Sequence, residues 1–137
     1  MTELVHLRQN PKYEGGVLGW LNCNTTSTAM LIAFETAGAK APDGGAVRNC
    51  TLNADGTPDR KVGTKPSQNV SEAKRCWNVE LDYVKVTGEE LWELGQDPNL
   101  AVSVSIDYSV ISGTEFDGSP GFRGLHQVVL HDGLVYD

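Results

Sequence analysis

The sequence is short of cysteine, of basic residues and of long apolar runs, and each shortage removes a class of protein. Three cysteines, an odd number, are too few for a disulfide scaffold. They show no CxxC spacing and the three histidines no HxxxH, so the local pairs of a structural zinc site are missing and no metal or other cofactor is expected. Eleven Lys and Arg stand against 18 Asp and Glu, a net charge of −7. That balance argues against nucleic acid as a partner, because phosphate binding needs clustered cations. No apolar run approaches the roughly 18 residues that span a bilayer, so no membrane partner is expected. The opening MTELVHLRQNPKYEGG lacks a basic stretch followed by an apolar one, and no secretory signal is read from it. Bacterial cytoplasm or a virion released by lysis are the expected locations.

What is present suits a globular chain. Hydrophobic residues make up 39% and charged residues 21%, enough of the former to bury one core. The expectation is a single domain over residues 1–137, with 1–19 as an irregular arm whose QNP and EGG signal turns. From Cys23 the pattern becomes helical: Ala29, Met30, Ala33 and Ala37 recur at spacings of three and four, with Asn22 as the cap and Gly38 as the stop. Residues 39–69 are rich in Gly, Pro, Asn and Asp and read as a long surface excursion holding at most a short helix or strand. Within it, NADGTPD resembles a calcium loop only loosely, since the closing glutamate is absent. VSEAKRCW reads as a short helix, and VELDYVKV alternates as a strand would. TGEELWELGQ carries a capping box, Thr87 with Glu90, and turns Leu91 and Leu94 inward. Residues 100, 102, 104 and 106 alternate again, a second strand. LHQVVLHDGLVYD closes as two strands about Asp132–Gly133, a strong two-residue hairpin signal. Helices first and a mostly antiparallel sheet after them give an α+β class.

The chemistry concentrates on Cys23. Taken alone, a free cysteine is most often a buried inert thiol. A helix start and a nearby histidine both lower a thiol pKa, and only the thiolate is a useful nucleophile. His126 opens a strand after a glycine-rich loop, where its side chain can face a cleft. If Asp132 and Gly133 form the turn, His131 pairs with Leu134, Leu130 with Val135, Val129 with Tyr136 and Val128 with Asp137. His126 and Asp137 then share a face as diagonal neighbours, roughly 7–8 Å apart at the backbone, which a carboxylate and an imidazole can bridge. By the same register His131 is expected to face solvent. Cys50 and Cys76 read as structural, with Cys76 in the core beside Trp77. A bond between them would need work outside the cell. Trp20, Trp77 and Trp92 read as core or cleft-lining aromatics.

The segments NCNTTSTAMLIAF, WNVELDYVKVTGEELWEL, AVSVSIDY and GLHQVVLHDGLVYD, in that order over residues 20–137, resemble the papain-like cysteine peptidases of the C39-like group. Members of that group carry a cysteine at a helix start in a Cys-x-x-Thr-Ser/Ala context, and they close with a His-x-Val-Val strand and a Val-Tyr-Asp strand. The resemblance implies a papain-like (C39-like) fold, its N-terminal helix packed on a mostly antiparallel sheet. It implies Cys23 as nucleophile, His126 as general base and Asp137 as the orienting acid. The family's oxyanion-hole glutamine stands about six residues before the cysteine. Position 17 here is Val17, and Gln9 is the nearest upstream glutamine and the candidate donor. Similar domains are common among bacteriophage proteins, which makes cell-wall peptide (peptidoglycan) or a virion precursor the implied substrate and other virion proteins the implied partners. Two functions are therefore expected to compete: a cysteine hydrolase cleaving an amide bond, and a structural or binding module of a phage particle, such as its tail, on a vestigial peptidase fold.

Overall fold

Asp132 and Gly133 both take positive φ, 50° and 77°. A two-residue type I′ hairpin demands that backbone, and Asp-Gly adopts it at little cost. The turn sits in a computed structural model that describes residues 3–7, 13–14, 17–18, 22–60, 64–107 and 125–137. Among these residues the chain runs through β1 (Tyr13–Glu14) and β2 (Val17–Leu18), then α1 (Cys23–Glu35), α2 (Gly44–Cys50), α3 (Pro66–Trp77) and α4 (Gly88–Gln96). It ends in β3 (Val102–Asp107), β4 (Leu125–His131) and β5 (Leu134–Tyr136). The last three form an antiparallel sheet in the order β3-β4-β5. The ribbon register is the one the turn dictates: His131 opposite Leu134, Leu130 opposite Val135 and Val129 opposite Tyr136. Along β3, Val104 faces Val128 and Ile106 faces His126. The result is a small α+β domain with helices packed against a three-stranded antiparallel sheet.

α1 is the hub. Ala29 and Ile32 meet Val47, Ala73 and Val79, while Met30 and Phe34 meet Leu4 and Val129. The helix is thus enclosed by α2 and α3 on one side and by the sheet on the other, so residues all round it are buried. That includes the hydroxyl run at its start, which stays satisfied through the backbone. Thr25 donates to the Asn22 carbonyl, Thr28 to that of Asn24 at 2.9 Å, and Ser27 across to Gln127 on β4. α2 crosses close to α1. Its N-cap is Asp43, whose carboxylate accepts the Ala46 N–H at 2.8 Å. Gly44 allows the approach, because a Cβ there would lie 2.3 Å from Thr26 Oγ1. α3 ends on Asn78 in the left-handed region, with the Val79 N–H returning to the Ala73 carbonyl. α4 opens with the expected Thr87–Glu90 capping box. It closes against the ribbon, where the Gly133 N–H donates to the Gly95 carbonyl at 2.9 Å.

Several expectations are corrected. Part of the arm is ordered as the small β1–β2 hairpin, with Tyr13 opposite Leu18. The excursion at 39–69 holds the one short helix allowed for it, α2, but also the first turn of α3, which starts at Pro66 and not at Val70. VELDYVKV forms no strand. Val79 enters the core, but residues 80–86 pair with nothing among the described residues, and alternation without a neighbouring strand makes no ladder. His131 is buried: its Nδ1 lies 2.8 Å from the Leu100 carbonyl and its ring meets Phe34 edge-on. Its place opposite Leu134 was right, but α1 covers that face of the ribbon. Cys76 is at the surface, bonded to Cys50, and Trp92 is 71% exposed. Trp20 and the loop 112–124 lie outside the described residues.

Candidate functional site

The first residue of α1 supplies a sulfur, and β4 supplies an imidazole beside it. Cys23 is the free cysteine among the described residues and is partly exposed. Its position at N1 places the thiol at the positive end of the helix dipole. Its sulfur is hydrogen-bonded to the His126 side chain and to the backbone of Gln127 and Asn24. His126, only 7% exposed, turns its Nε2 to Asp137 Oδ1 just beyond β5. The structure thus brings Cys23, His126 and Asp137 into one hydrogen-bonded row. Gln9 lies outside the described residues.

The electrostatics follow from those contacts. Burial pushes the Cys23 thiol up, but the hydrogen bond and charge of His126, with the two backbone contacts, outweigh it and leave the thiol below its ordinary value. Burial pulls His126 down, while the hydrogen bonds and negative charges of Cys23 and Asp137 raise it to about 9. Both shifts favour thiolate beside imidazolium.

Three supporting residues were not anticipated. Asn24 accepts from Asn69 Nδ2 at 2.6 Å and donates to Thr64 Oγ1 at 2.6 Å, which fixes the first turn of α1 against α3. Gln127 bridges Ser103 and Ser105 of β3, at 2.7 Å and 2.6 Å, and so holds the strand that carries His126. Arg48, wholly buried, lies within electrostatic reach of Cys23. The flanking asparagine was visible in NCN, but nothing local in the sequence ties it to Asn69, 45 residues on.

The expectation of a cysteine hydrolase, and of a thiol peptidase generally, is corrected at this point. Cys50 and Cys76 are joined as a disulfide, so the cysteines that lie close together are in the oxidised state. Such bonds persist in oxidising surroundings, where an activated thiolate is the first group to climb the sulfur oxidation ladder. Hydrolysis through Cys23 requires that sulfur to stay reduced, and the disulfide counts against it. Cavities lie elsewhere on the described residues. One of about 630 Å³ is lined by Glu3, Val5, Leu7, Ala33 and Pro42, among others. A second, of about 190 Å³, lies between α4 and the ribbon, bounded by Leu91, Trp92, Leu130, Leu134 and Val135. Neither includes Cys23, His126 or Asp137.

Among the described residues no group of three or more His, Cys, Asp or Glu side chains is placed to hold a metal ion. No helix among them is long and apolar enough to cross a membrane. No family model matches the chain, and comparison with curated proteins and with solved structures gives no match.

Proposed function

We propose that this chain is a binding module of a bacteriophage particle, such as its tail, on a papain-like, C39-like scaffold whose Cys23–His126–Asp137 row is a vestige that now serves the fold. The observation that carries the reading is the apolar surface at α4 and the ribbon. Trp92, Leu134 and Val135 are 71%, 60% and 56% exposed, and they rim the 190 Å³ cavity floored by Leu130. Large exposed apolar side chains gathered about a concavity mark a place of contact, and Trp is the residue most enriched at binding hot spots. Acidic side chains flank the tryptophan on α4, Glu89, Glu90 and Glu93. A partner segment with an aliphatic anchor and basic neighbours suits that surface. The disulfide supports service outside the cell, in a virion.

The test is to expose the oxidised protein, immobilised, to a synthetic peptide mixture that includes basic-aliphatic sequences. Retention and the appearance of new amino termini are both followed by mass spectrometry. The expected result is retention without cleavage, lost in Trp92→Ala and kept in Cys23→Ala. Cleavage that disappears in Cys23→Ala, or retention that ignores Trp92→Ala, overturns the proposal.

A further inference from the structure

The two sulfurs of the Cys50–Cys76 bond stand in different surroundings. The bond ties the last residue of α2 to the last turn of α3. Cys76 is exposed, while Cys50 is half-buried. Arg75 places its Nη2 3.7 Å from Cys50 Sγ and also donates to the Cys50 carbonyl. The same nitrogen donates to Glu72 Oε1 at 3.3 Å, and Glu72 is buried. A guanidinium held by two anchored acceptors is a fixed positive charge. Both cysteines stand in the closing turns of helices, where the dipole disfavours either thiolate. The contact of Arg75 with Cys50 is what tells the two sulfurs apart.

We propose that this disulfide is a modification site for small thiols, entered at Cys76 and opened at Cys50, with Arg75 holding the thiolate that departs. An exposed sulfur is the one an incoming thiolate reaches, and a sulfur that departs as a stabilised thiolate departs faster. The incoming thiol first gives its proton to solvent. Its thiolate attacks Cys76 Sγ, a new S–S bond forms there, and the bond to Cys50 breaks. The electron pair leaves with Cys50 Sγ, beside the Arg75 guanidinium. The incoming sulfur is oxidised by as much as the Cys50 sulfur is reduced. The product carries the small thiol on Cys76 and unties α2 from α3 at that end. A second thiol attacking the mixed disulfide would release Cys76 and leave both cysteines reduced. Without a trap, the Cys50 thiolate returns to Cys76 and expels the small thiol, because closing the native loop is favoured. The inference stands apart from the Trp92 surface and from the Cys23 row.

The test exposes the oxidised full chain to glutathione at neutral pH, stops samples with excess N-ethylmaleimide and maps the peptides by mass spectrometry. Early in the course, the expected product carries glutathione on Cys76 and maleimide on Cys50, in clear excess over the reverse pairing. In urea, where Arg75 is no longer held, the two pairings should come out even. Arg75→Gln should slow the reaction of the folded chain several-fold and level the two products. Lys74→Gln removes a cation of the same turn, one paired with Glu80 at 2.6 Å, and should change neither. The pairing in the wild type decides the matter even where a variant unfolds. No exchange with the folded chain, glutathione chiefly on Cys50, an even mixture in the folded chain, a preference that survives urea, indifference to Arg75→Gln, or an equal loss in Lys74→Gln overturns the proposal.

Discussion

His126 and Asp137 meet diagonally across the closing ribbon, imidazole Nε2 to carboxylate Oδ1, with the sulfur of Cys23 also bound to the same ring. The row sets a pH dependence. His126 is raised to about 9, so the folded chain holds that proton more tightly than the unfolded chain does. Its contribution to stability is complete below about pH 6.5 and is lost as pH rises through 9. Cys23 is lowered, so its contribution is complete above its ordinary value and is lost as pH falls through the folded one. NMR titration of the His126 ring from pH 5 to pH 10 should give a midpoint near 9, lowered in Cys23→Ala. A midpoint at or below about 6.5 in the wild type would contradict the assignment. In Asp137→Asn the ring proton should titrate lower by NMR.

The disulfide is a second point of measurement. Cys50 and Cys76 are 26 residues apart, and closing a loop of that length stabilises the folded state by roughly 3.5 kcal/mol through the unfolded chain. Urea unfolding of Cys50→Ser/Cys76→Ser should show a loss of about that size, with Cys23 still present.

Gly44→Ala should cost about 1–3 kcal/mol, the usual range for overpacking. The added methyl meets Thr26 Oγ1 at 2.3 Å and the Thr26 backbone at 3.2 Å. Adding Thr26→Ala should return part of the loss but not all of it, because the backbone contact remains. Thermal midpoints of the two variants decide the matter.

Ile32→Ala and Trp92→Ala should separate core from surface. Ile32 is fully buried between helices, and its truncation should cost about 2–5 kcal/mol. Trp92 is larger but mostly in water, and its loss should move stability by less than about 0.5 kcal/mol. Chemical denaturation of both, side by side, checks the contrast.

How far the sequence could be read depended on how local each signal was. Asp132–Gly133 carries its turn type in two residues, and the whole ribbon register follows from it. Thr87 and Glu90 state a helix start within four residues. The proximity of Cys23 to His126 was reachable because one end is a helix start and the other hangs from that ribbon. VELDYVKV misled because alternation describes a side-chain pattern, while a ladder needs a neighbour. His131 misled because the hairpin fixes its partner but not which face α1 will cover. The Cys50–Cys76 bond, the Asn24–Asn69 contact and the crossing of α2 over Thr26 all join distant segments, and no local periodicity records such meetings.

The hydrogen bond from Gly133 to Gly95 splices the ribbon's tip into the last turn of α4. α4 and the ribbon that bears His126 are thus joined twice, by this link and by the close approach of Gly95 to Leu130, where an added Cβ would lie 3.1 Å from the leucine side chain.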